Sequence, residues 1–232
     1  MTLPIRTSRA GAKWLLGLVA LAIVSVAASG GEAAAKKPPP KKKEVRQAKA
    51  RDYAKTLATL RTSQGDVTLR FLYDKAPSTV KAFVDLAEKG FYDGTLFHRV
   101  IPGFVVQGGD PRTKTPGLDA RTYGFGENTD AQGNPILLKG EFSDTTFRRG
   151  IVSMARRESD PDSASCQFFI VLKDSPFLDR HETAFAEVTK GMEVVDRIVA
   201  ESRSNPMAQN GGQPTSYQKI VKIELSEEGA AK

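Results

Sequence analysis

The sequence has very little cysteine and histidine, the residues that form disulfides and that often bind metals or act as nucleophiles and bases in catalytic sites. It contains one cysteine, Cys166, so no disulfide can form within the chain and no cysteine-rich metal site can be assembled. Its two histidines, His98 and His181, lie far apart and lack the spacing of a metal-binding motif. No motif context activates Cys166 or a serine as a nucleophile. We therefore expect no metal, no cofactor and no covalent catalysis.

The excess of positive charge is confined to the N-terminal 51 residues. The chain has 34 Lys and Arg against 27 Asp and Glu, a net charge of +7. Residues 1–51 hold eleven of the basic residues and two acidic ones, Glu32 and Glu44, a net of +9, so the remainder carries 7 − 9 = −2. Nucleic-acid binding requires a basic face on the folded domain, which argues against a nucleic-acid partner.

The N-terminus has the layout of an export signal. Arg6, Arg9 and Lys13 precede an uncharged stretch, residues 14–31, whose apolar centre LLGLVALAIVSVAA is followed by small residues. This order predicts a secretory signal peptide cleaved near Ala28. A retained membrane anchor is the alternative, because the uncharged stretch is at the short end of what spans a bilayer. Both interpretations predict an exported domain, periplasmic or anchored facing the periplasm if the source is a Gram-negative bacterium.

Residues 32–51 combine three successive prolines with a cluster of lysines and almost no large apolar side chains. Such a segment cannot bury enough surface to fold by itself, so we interpret it as a basic linker. Attraction to an anionic surface such as lipid headgroups is a second possible role. The predicted organisation is a signal peptide or anchor at 1–31, this linker at 32–51, a folded domain at 52–228 and a short tail at 229–232.

Within the folded domain, many short apolar segments alternate with turn signals, and only two segments have helical periodicity. Alternating residues on both sides of Ser63–Asp66 predict a hairpin. Apolar residues at helical spacing predict one helix that opens near Pro77 and stops at Gly90, and a second at 191–203. A last strand is predicted at 219–225. This pattern favours a mainly β fold, a closed or nearly closed barrel capped by helices.

The segment FHRVIPGFVVQGGDP, residues 97–111, closely resembles the signature of the cyclophilins. Two further segments resemble later blocks of that family in the same order and at about the same spacing: SASCQFFIVLKDSPFLD at 163–179 and FAEVTKGMEVVDRI at 185–198. The likeness covers residues 56–226. The resemblance implies a peptidyl-prolyl cis-trans isomerase built as a closed eight-stranded antiparallel β-barrel capped by two helices, with a peptide groove on its outside.

The resemblance also implies which residues form the groove. Arg99 takes the position of the catalytic residue, and His98 takes a supporting position without direct chemistry. The remaining groove positions, expected to bind substrate, are Phe104, Val105, Gln107, Ala155, Phe169, Phe177 and Leu178.

This sequence departs from the family pattern at four places near the groove. Val105 stands where methionine is common and Phe177 where tryptophan is common. Arg156 replaces a frequent asparagine, and Glu182 replaces histidine or tyrosine. The resemblance implies that the groove binds cyclosporin, for which a tryptophan would offer an indole N–H, a donor that Phe177 lacks. Binding preferences are therefore expected to differ from those of the family.

The expected reaction is rotation about an X–Pro amide bond, which breaks no covalent bond. Resonance gives this rotation a barrier of about 18–20 kcal/mol. At the transition state the prolyl nitrogen loses conjugation and becomes a hydrogen-bond acceptor, so a guanidinium binds the twisted form better than either planar form. Arg99 stays protonated and offers rigid donors. Gln107 would orient that guanidinium or hold a substrate carbonyl, and the aromatic residues would anchor the proline ring.

Two other functions are consistent with the sequence. The groove of a peptide-binding chaperone module would bind peptides with little turnover, and an envelope-surface interaction factor would act through the basic tail. For the isomerase, the expected partners are proline-containing polypeptides, in particular exported proteins that are folding. We expect the chain to be monomeric.

Overall fold

The computed structural model describes residues 51–203 and 212–229. The predicted signal peptide or anchor at 1–31 lies outside the described residues. The linker except Arg51 and the tail except Gly229 also lie outside them. No helix in the described ranges is long and apolar enough to span a bilayer.

Nine β-strands and two α-helices make up the described part of the chain. The strands are β1 (Thr56–Thr62), β2 (Gly65–Phe71), β3 (Leu96–Phe97), β4 (Arg99–Ile101), β5 (Val105–Gly108), β6 (Ile151–Met154), β7 (Phe168–Val171), β8 (Ala184–Lys190) and β9 (Gln218–Glu227). The helices are α1 (Pro77–Glu88) and α2 (Met192–Ser202). Both predicted helices, the first hairpin and the last strand are confirmed.

All nine strands form one antiparallel sheet in the order β3-β9-β1-β2-β8-β6-β7-β5-β4. The two end strands, β3 and β4, are separated in the chain only by His98, whose N–H donates to the carbonyl of Gln107 at 3.1 Å. The sheet therefore closes into a barrel, as expected. It has nine strands rather than eight because the interruption at His98 divides what is otherwise one strand into β3 and β4.

The first hairpin has a tighter turn than predicted. Gly65 and Asp66, which the sequence analysis placed in the turn, already pair with Thr62 and Arg61 of β1. Gly65 has a φ of 125°, a conformation that glycine adopts without a steric penalty. The glycine therefore begins β2 directly after a turn of two residues.

The apolar faces of both helices pack into the core inside the barrel. The buried residues of α1 are Thr79, Val80, Phe83, Val84, Leu86 and Ala87. Phe83 lies at the centre of an aromatic group, with ring centroids 4.9–5.8 Å from those of four other rings: Phe71, Tyr92, Phe168 and Phe185. These partners come from β2, the loop after α1, β7 and β8, so Phe83 connects distant parts of the chain.

The N-terminus of α1 is capped from a distant loop. The carboxylate of Glu141 accepts the backbone N–H groups of Ser78 at 3.0 Å and Thr79 at 2.8 Å, and the hydroxyl of Thr79 at 2.7 Å. The first N–H groups of a helix have no partner within it, and a negative charge is favourable there. The helix start therefore depends on a residue more than 60 positions away.

Candidate active site

Side chains on β5 and β7 alternate between the barrel interior and its outer surface. Val106 and Phe168 belong to the interior core. Their neighbours Val105 and Phe169 belong to a separate apolar cluster, and Gln107 is half-buried on the same side as Val105. Successive residues of a strand point to opposite faces, so the inner face of these strands packs in the barrel core and the outer face carries the candidate site.

The separate cluster, called the outer cluster below, has six buried members: Val105, Phe147, Ile151, Phe169, Val171 and Ala184. Four partly buried residues pack against it: Leu72, Phe104, Ala155 and Leu178. The structure thus brings together five of the seven residues expected to bind substrate: Phe104, Val105, Ala155, Phe169 and Leu178.

Phe177 stands at the edge of the outer cluster, on a short 3-10 helix that spans Pro176–Leu178. It is 66% exposed, and its ring centroid lies 5.6 Å from that of Phe104 with the planes tilted by 33°. An exposed phenylalanine beside a partly buried one leaves an apolar surface that a small ring can contact.

The polar site residues lie in one row with the outer cluster. The sheet register pairs Arg99 on β4 with Gln107 on β5, Gln107 with Phe169 on β7, and Phe169 with Ser153 on β6. Directly opposed residues have Cβ atoms about 4.5–5.5 Å apart. A guanidinium, an amide and an aromatic ring are therefore neighbours on the outer face of the barrel.

Two hydrogen bonds connect Arg99 and Gln107 of the row with each other and with Gln167. Nη1 of Arg99 donates to Oε1 of Gln107 at 3.2 Å, and Nε2 of Gln107 donates to Oε1 of Gln167 at 3.0 Å. Burial lowers the pKa of the Arg99 guanidinium from its usual 12.5, but a guanidinium keeps its charge in proteins. The orienting role expected for Gln107 fits this geometry. Sequence analysis missed Gln167, although it lies within the second block that resembles the family.

His98 is 4% exposed, and its ring lies close to the backbone of Leu96 and the side chain of Gln167, although neither ring nitrogen makes a hydrogen bond of regular geometry with a described residue. Burial lowers the pKa of the His98 imidazole below its usual 6.5, and the nearby carboxylate of Asp110 opposes this effect. The ring is therefore neutral at physiological pH. Its surroundings are those of a structural side chain and fit the supporting position expected for it.

We expect His98 to make the stability of the domain depend on pH. Because its pKa is lower in the folded chain than in the unfolded chain, the unfolded chain binds more protons between the two pKa values. This contribution is complete above about pH 6.5 and is lost as the pH falls, with a slope of at most about 1.4 kcal/mol per pH unit. Urea unfolding from about pH 4.5 to 7.5 measures the slope. His98→Gln should flatten it, and an equally steep slope in this variant would contradict the assignment.

A pocket of about 370 Å³ adjoins the row at Gln107. One wall is formed by residues 124–127, and the other by residues 155–157 with Ser163, Ser165 and Gln167. Ala155 belongs to this pocket and also packs on the outer cluster, so the two spaces are contiguous. The site is therefore an extended surface that can contact residues on both sides of a proline.

Two of the departures from the family pattern form an ion pair. Nη2 of Arg156 lies 3.1 Å from the carboxylate of Glu182, and both side chains are largely buried. The guanidinium also lies over the ring of Phe142, 6.0 Å from its centroid. Burial raises the pKa of Glu182, and the charge of Arg156 counteracts this. The pair connects the pocket wall to the turn that follows Leu178.

Cys166 does not provide a reactive group. Its side chain is buried, and burial raises the pKa of the thiol to about 12. At neutral pH the side chain is a thiol rather than a nucleophilic thiolate. Among the described residues, no three His, Cys, Asp or Glu side chains are grouped so that they could hold a metal ion.

Comparison with known proteins places this chain and its fold in a family. Residues 57–225 match the model of the cyclophilin type peptidyl-prolyl cis-trans isomerase/CLD family. A probable peptidyl-prolyl cis-trans isomerase of Brucella abortus (strain 2308) is 39% identical over 183 residues, which are 78% of this chain and 87% of the relative. Peptidyl-prolyl cis-trans isomerase A of Dickeya dadantii (strain 3937) is 42% identical over 156 residues, covering 63% of this chain and 74% of that protein.

Solved structures agree with the sequence relatives. A Cryptosporidium parvum cyclophilin type peptidyl-prolyl cis-trans isomerase superposes with a TM-score of 0.62 at 26% identity, over 75% of this chain and 98% of that chain. A crystal structure of that protein in the presence of the dipeptide Ala-Pro gives a TM-score of 0.61.

The family match spans both helices, almost the whole barrel and every expected site residue. An isomerase of this family turns a peptide bond about its axis and breaks no covalent bond, so its fold needs no nucleophile. The chain belongs to the cyclophilin-type peptidyl-prolyl cis-trans isomerases. It is an isomerase, and its substrates are polypeptides that contain proline.

Proposed function

We propose that this isomerase accelerates rotation about X–Pro bonds in exported proteins that are folding, with Arg99 as its catalytic residue. The observation that carries the proposal is the position of the Arg99 guanidinium, which is bonded to Gln107 and lies in one row with the outer cluster. A charged donor and an apolar surface are thus adjacent on the face that a peptide can reach.

In this proposal the outer cluster holds the proline while the rest of the amide turns. Phe104, Phe169, Phe177 and Leu178 contact the pyrrolidine ring, and Val105 and Ala155 support it from below. Burial of the ring against apolar side chains fixes one end of the rotating bond. The substrate chain on the N-terminal side of the proline then lies towards Gln107 and the pocket.

Arg99 acts on the other part of the amide. As the bond twists, the lone pair of the prolyl nitrogen localises and accepts a hydrogen bond from the guanidinium. This bond exists only in the twisted state, so it lowers the barrier without stabilising either planar form. A contribution of about 4 kcal/mol corresponds to roughly a thousandfold in rate. The isomerisation rate of an X–Pro peptide, measured by protease-coupled or NMR exchange assays with Arg99 variants, tests this role.

The proposed place of action follows from the N-terminal sequence. The basic residues, the apolar stretch and the small residues up to position 31 have the order of an export signal. We propose that the enzyme is periplasmic or anchored facing the periplasm, and that it acts as a monomer, because one barrel carries the complete row and outer cluster. Residues 32–51 hold eight basic and two acidic residues, a net of 8 − 2 = +6, which supports an additional contact of this linker with an anionic surface.

Cell fractionation tests the location. In a Gram-negative host we expect the full chain in the periplasmic or membrane fraction, and a variant lacking residues 2–31 in the cytoplasm. A cytoplasmic enzyme of known location serves as the marker of leakage. Recovery of the full-length chain as a soluble cytoplasmic protein would rule out export.

The groove should respond weakly to cyclosporin and more strongly after one substitution. Phe177→Trp adds an indole N–H at an exposed edge of the groove, and one hydrogen bond of about 1.4 kcal/mol corresponds to roughly tenfold in affinity. Inhibition constants measured in the isomerisation assay give the comparison. Val221→Trp is the matched control, because Val221 is also an exposed apolar residue, at 50%, but lies on β9, outside the outer cluster and the pocket. Potent inhibition of the unmodified chain would contradict this expectation.

A further inference from the structure

Gln167 connects the row of site residues to the loop that forms one wall of the pocket. Its side-chain Nε2 donates to the carbonyl oxygens of Gly124 at 2.9 Å and Gly126 at 2.8 Å. Its Oε1 accepts from Nε2 of Gln107 at 3.0 Å, and Oε1 of Gln107 accepts from Nη1 of Arg99 at 3.2 Å. A continuous series of hydrogen bonds therefore runs from the backbone of the loop to the guanidinium.

The donors and acceptors in this series allow only one orientation of each amide. A glutamine side chain has nearly the same shape after its oxygen and nitrogen are exchanged, so its partners decide which end points where. Backbone carbonyls can only accept, and the nitrogen of Gln167 must therefore face them. Its oxygen then faces Gln107, which requires the nitrogen of Gln107 on that side. The oxygen of Gln107 is left to face Arg99.

The loop end of the series is itself fixed. Asp110 is fully buried, and its Oδ2 accepts the N–H groups of Gly124 at 2.5 Å and Gly126 at 3.2 Å. Its Oδ1 accepts the N–H of Arg112 at 2.7 Å. A Cβ atom at position 126 would overlap the carboxylate of Asp110, so only glycine lets the backbone come this close to Asp110. The carbonyl groups of Gly124 and Gly126 are therefore held in place by Asp110, independently of their hydrogen bonds from Gln167.

We propose that Gln167 is a positioning residue for isomerisation, which sets the amide orientation of Gln107 and thereby makes it an acceptor for Arg99. This inference rests on the catalytic role proposed for Arg99. Without Gln167, the amide of Gln107 can turn over and present its nitrogen, a donor, to a guanidinium that can also only donate. The guanidinium then loses its charge-assisted hydrogen bond to Gln107. Only 8% of the surface of Gln167 is exposed, so water cannot easily take over the hydrogen bonds of its side chain.

Gln167→Met is the first test, because methionine has similar length and no strong donor or acceptor. We expect kcat for an X–Pro peptide to fall about tenfold and KM to change less than about twofold, the pattern of an interaction that matters at the transition state. The thermal unfolding midpoint shows whether the variant is folded. A folded variant with undiminished kcat would overturn the inference.

A second substitution separates positioning from a general effect on the loop. In Gln167→Met, a further Gln107→Glu places an oxygen towards Arg99 in either orientation, since a carboxylate accepts at both ends. We expect the double variant to recover most of the lost kcat, although the loop still lacks its bonds to Gln167. A double variant as slow as Gln167→Met would show that the loss comes from the loop, and would overturn the inference.

Variants of Arg99 distinguish failure of this inference from failure of the proposed mechanism. If Arg99→Ala lowers kcat and Gln167→Met does not, only the inference fails. If Arg99→Ala itself turns over normally, the proposed catalytic role fails as well. When both are slow, adding Gln167→Met to Arg99→Ala should cause less than about a twofold further loss, because the two act through one interaction. Additive losses would contradict positioning through Arg99.

A measurement on the unaltered protein does not depend on the folding of any variant. NMR cross-peaks between the Nε2 protons of Gln107 and neighbouring side chains report which end of the amide faces Arg99. We expect cross-peaks from these protons to Gln167 and none to the Nη protons of Arg99. The reverse pattern would overturn the inference directly.

Discussion

Replacing Arg99 with alanine should lower the isomerisation rate constant about a hundredfold to a thousandfold, the size of effect seen when one donor to a transition state is removed. Affinity for the ground-state peptide should stay within about threefold, because the planar amide offers the guanidinium no nitrogen acceptor. NMR exchange on an X–Pro peptide gives the rate constant, and titration with the same peptide gives the affinity. Arg99→Lys should recover only part of the loss, since a lysine is a point charge without the planar arrangement of donors.

A surface arginine provides the control for this experiment. Arg148 is 65% exposed at its side chain, pairs with Glu187, and is not one of the residues of the row or of the outer cluster. Arg148→Ala should leave both rate and affinity unchanged. An Arg99→Ala variant that turns over as fast as the Arg148→Ala control would refute catalysis by Arg99 and would favour a groove that only binds peptides.

Phe83→Ala should lower the free energy of unfolding by about 3–5 kcal/mol, the range for large aromatic truncations in a core. Phe83 is 1% exposed and contacts four other rings, so the cavity left by its removal cannot be filled by any one neighbour. Urea unfolding followed by circular dichroism measures the change.

Phe125→Ala removes the same side chain from an exposed position and is the matched control. Phe125 is 70% exposed at the pocket rim, and truncation there should change the free energy of unfolding by no more than about 0.5 kcal/mol. If both variants lost the same free energy of unfolding, the packing of Phe83 against the other rings would not contribute to stability.

The site residues were identified through the family resemblance and not through their own patterns. Taken alone, Phe104, Phe169 and Phe177 are most simply interpreted as core residues, because aromatic side chains are usually buried. The structure shows that Phe169 is indeed almost buried, but in the outer cluster rather than inside the barrel. A sequence pattern indicates burial without indicating which of two apolar clusters a residue joins.

The sequence also could not predict whether Arg99 faces the interior or the outer surface of the barrel. The turn signal Pro102-Gly103 lies between β4 and β5, so alternation along one strand cannot be carried over to the next. The sheet register resolves this, because it places Arg99 opposite Gln107 and Gln107 opposite Phe169. Register depends on all of the strand pairs together, and no local segment specifies it.

By itself, the sequence determined the two helices, the first hairpin, the mainly β class and the family. The helices, the hairpin and the β class depend on residues that are close in the chain, whose spacing follows the period of a helix or a strand, and the family depends on three ordered segments of residue identities. Tertiary structure alone decided the helix cap by Glu141, the closure of the barrel at His98 and the hydrogen bond between Gln107 and Gln167. The last joins residues 60 positions apart, and the cap joins residues 62 positions apart. Such partners meet only after the strands between them have paired, so their contacts leave no periodic trace in the sequence.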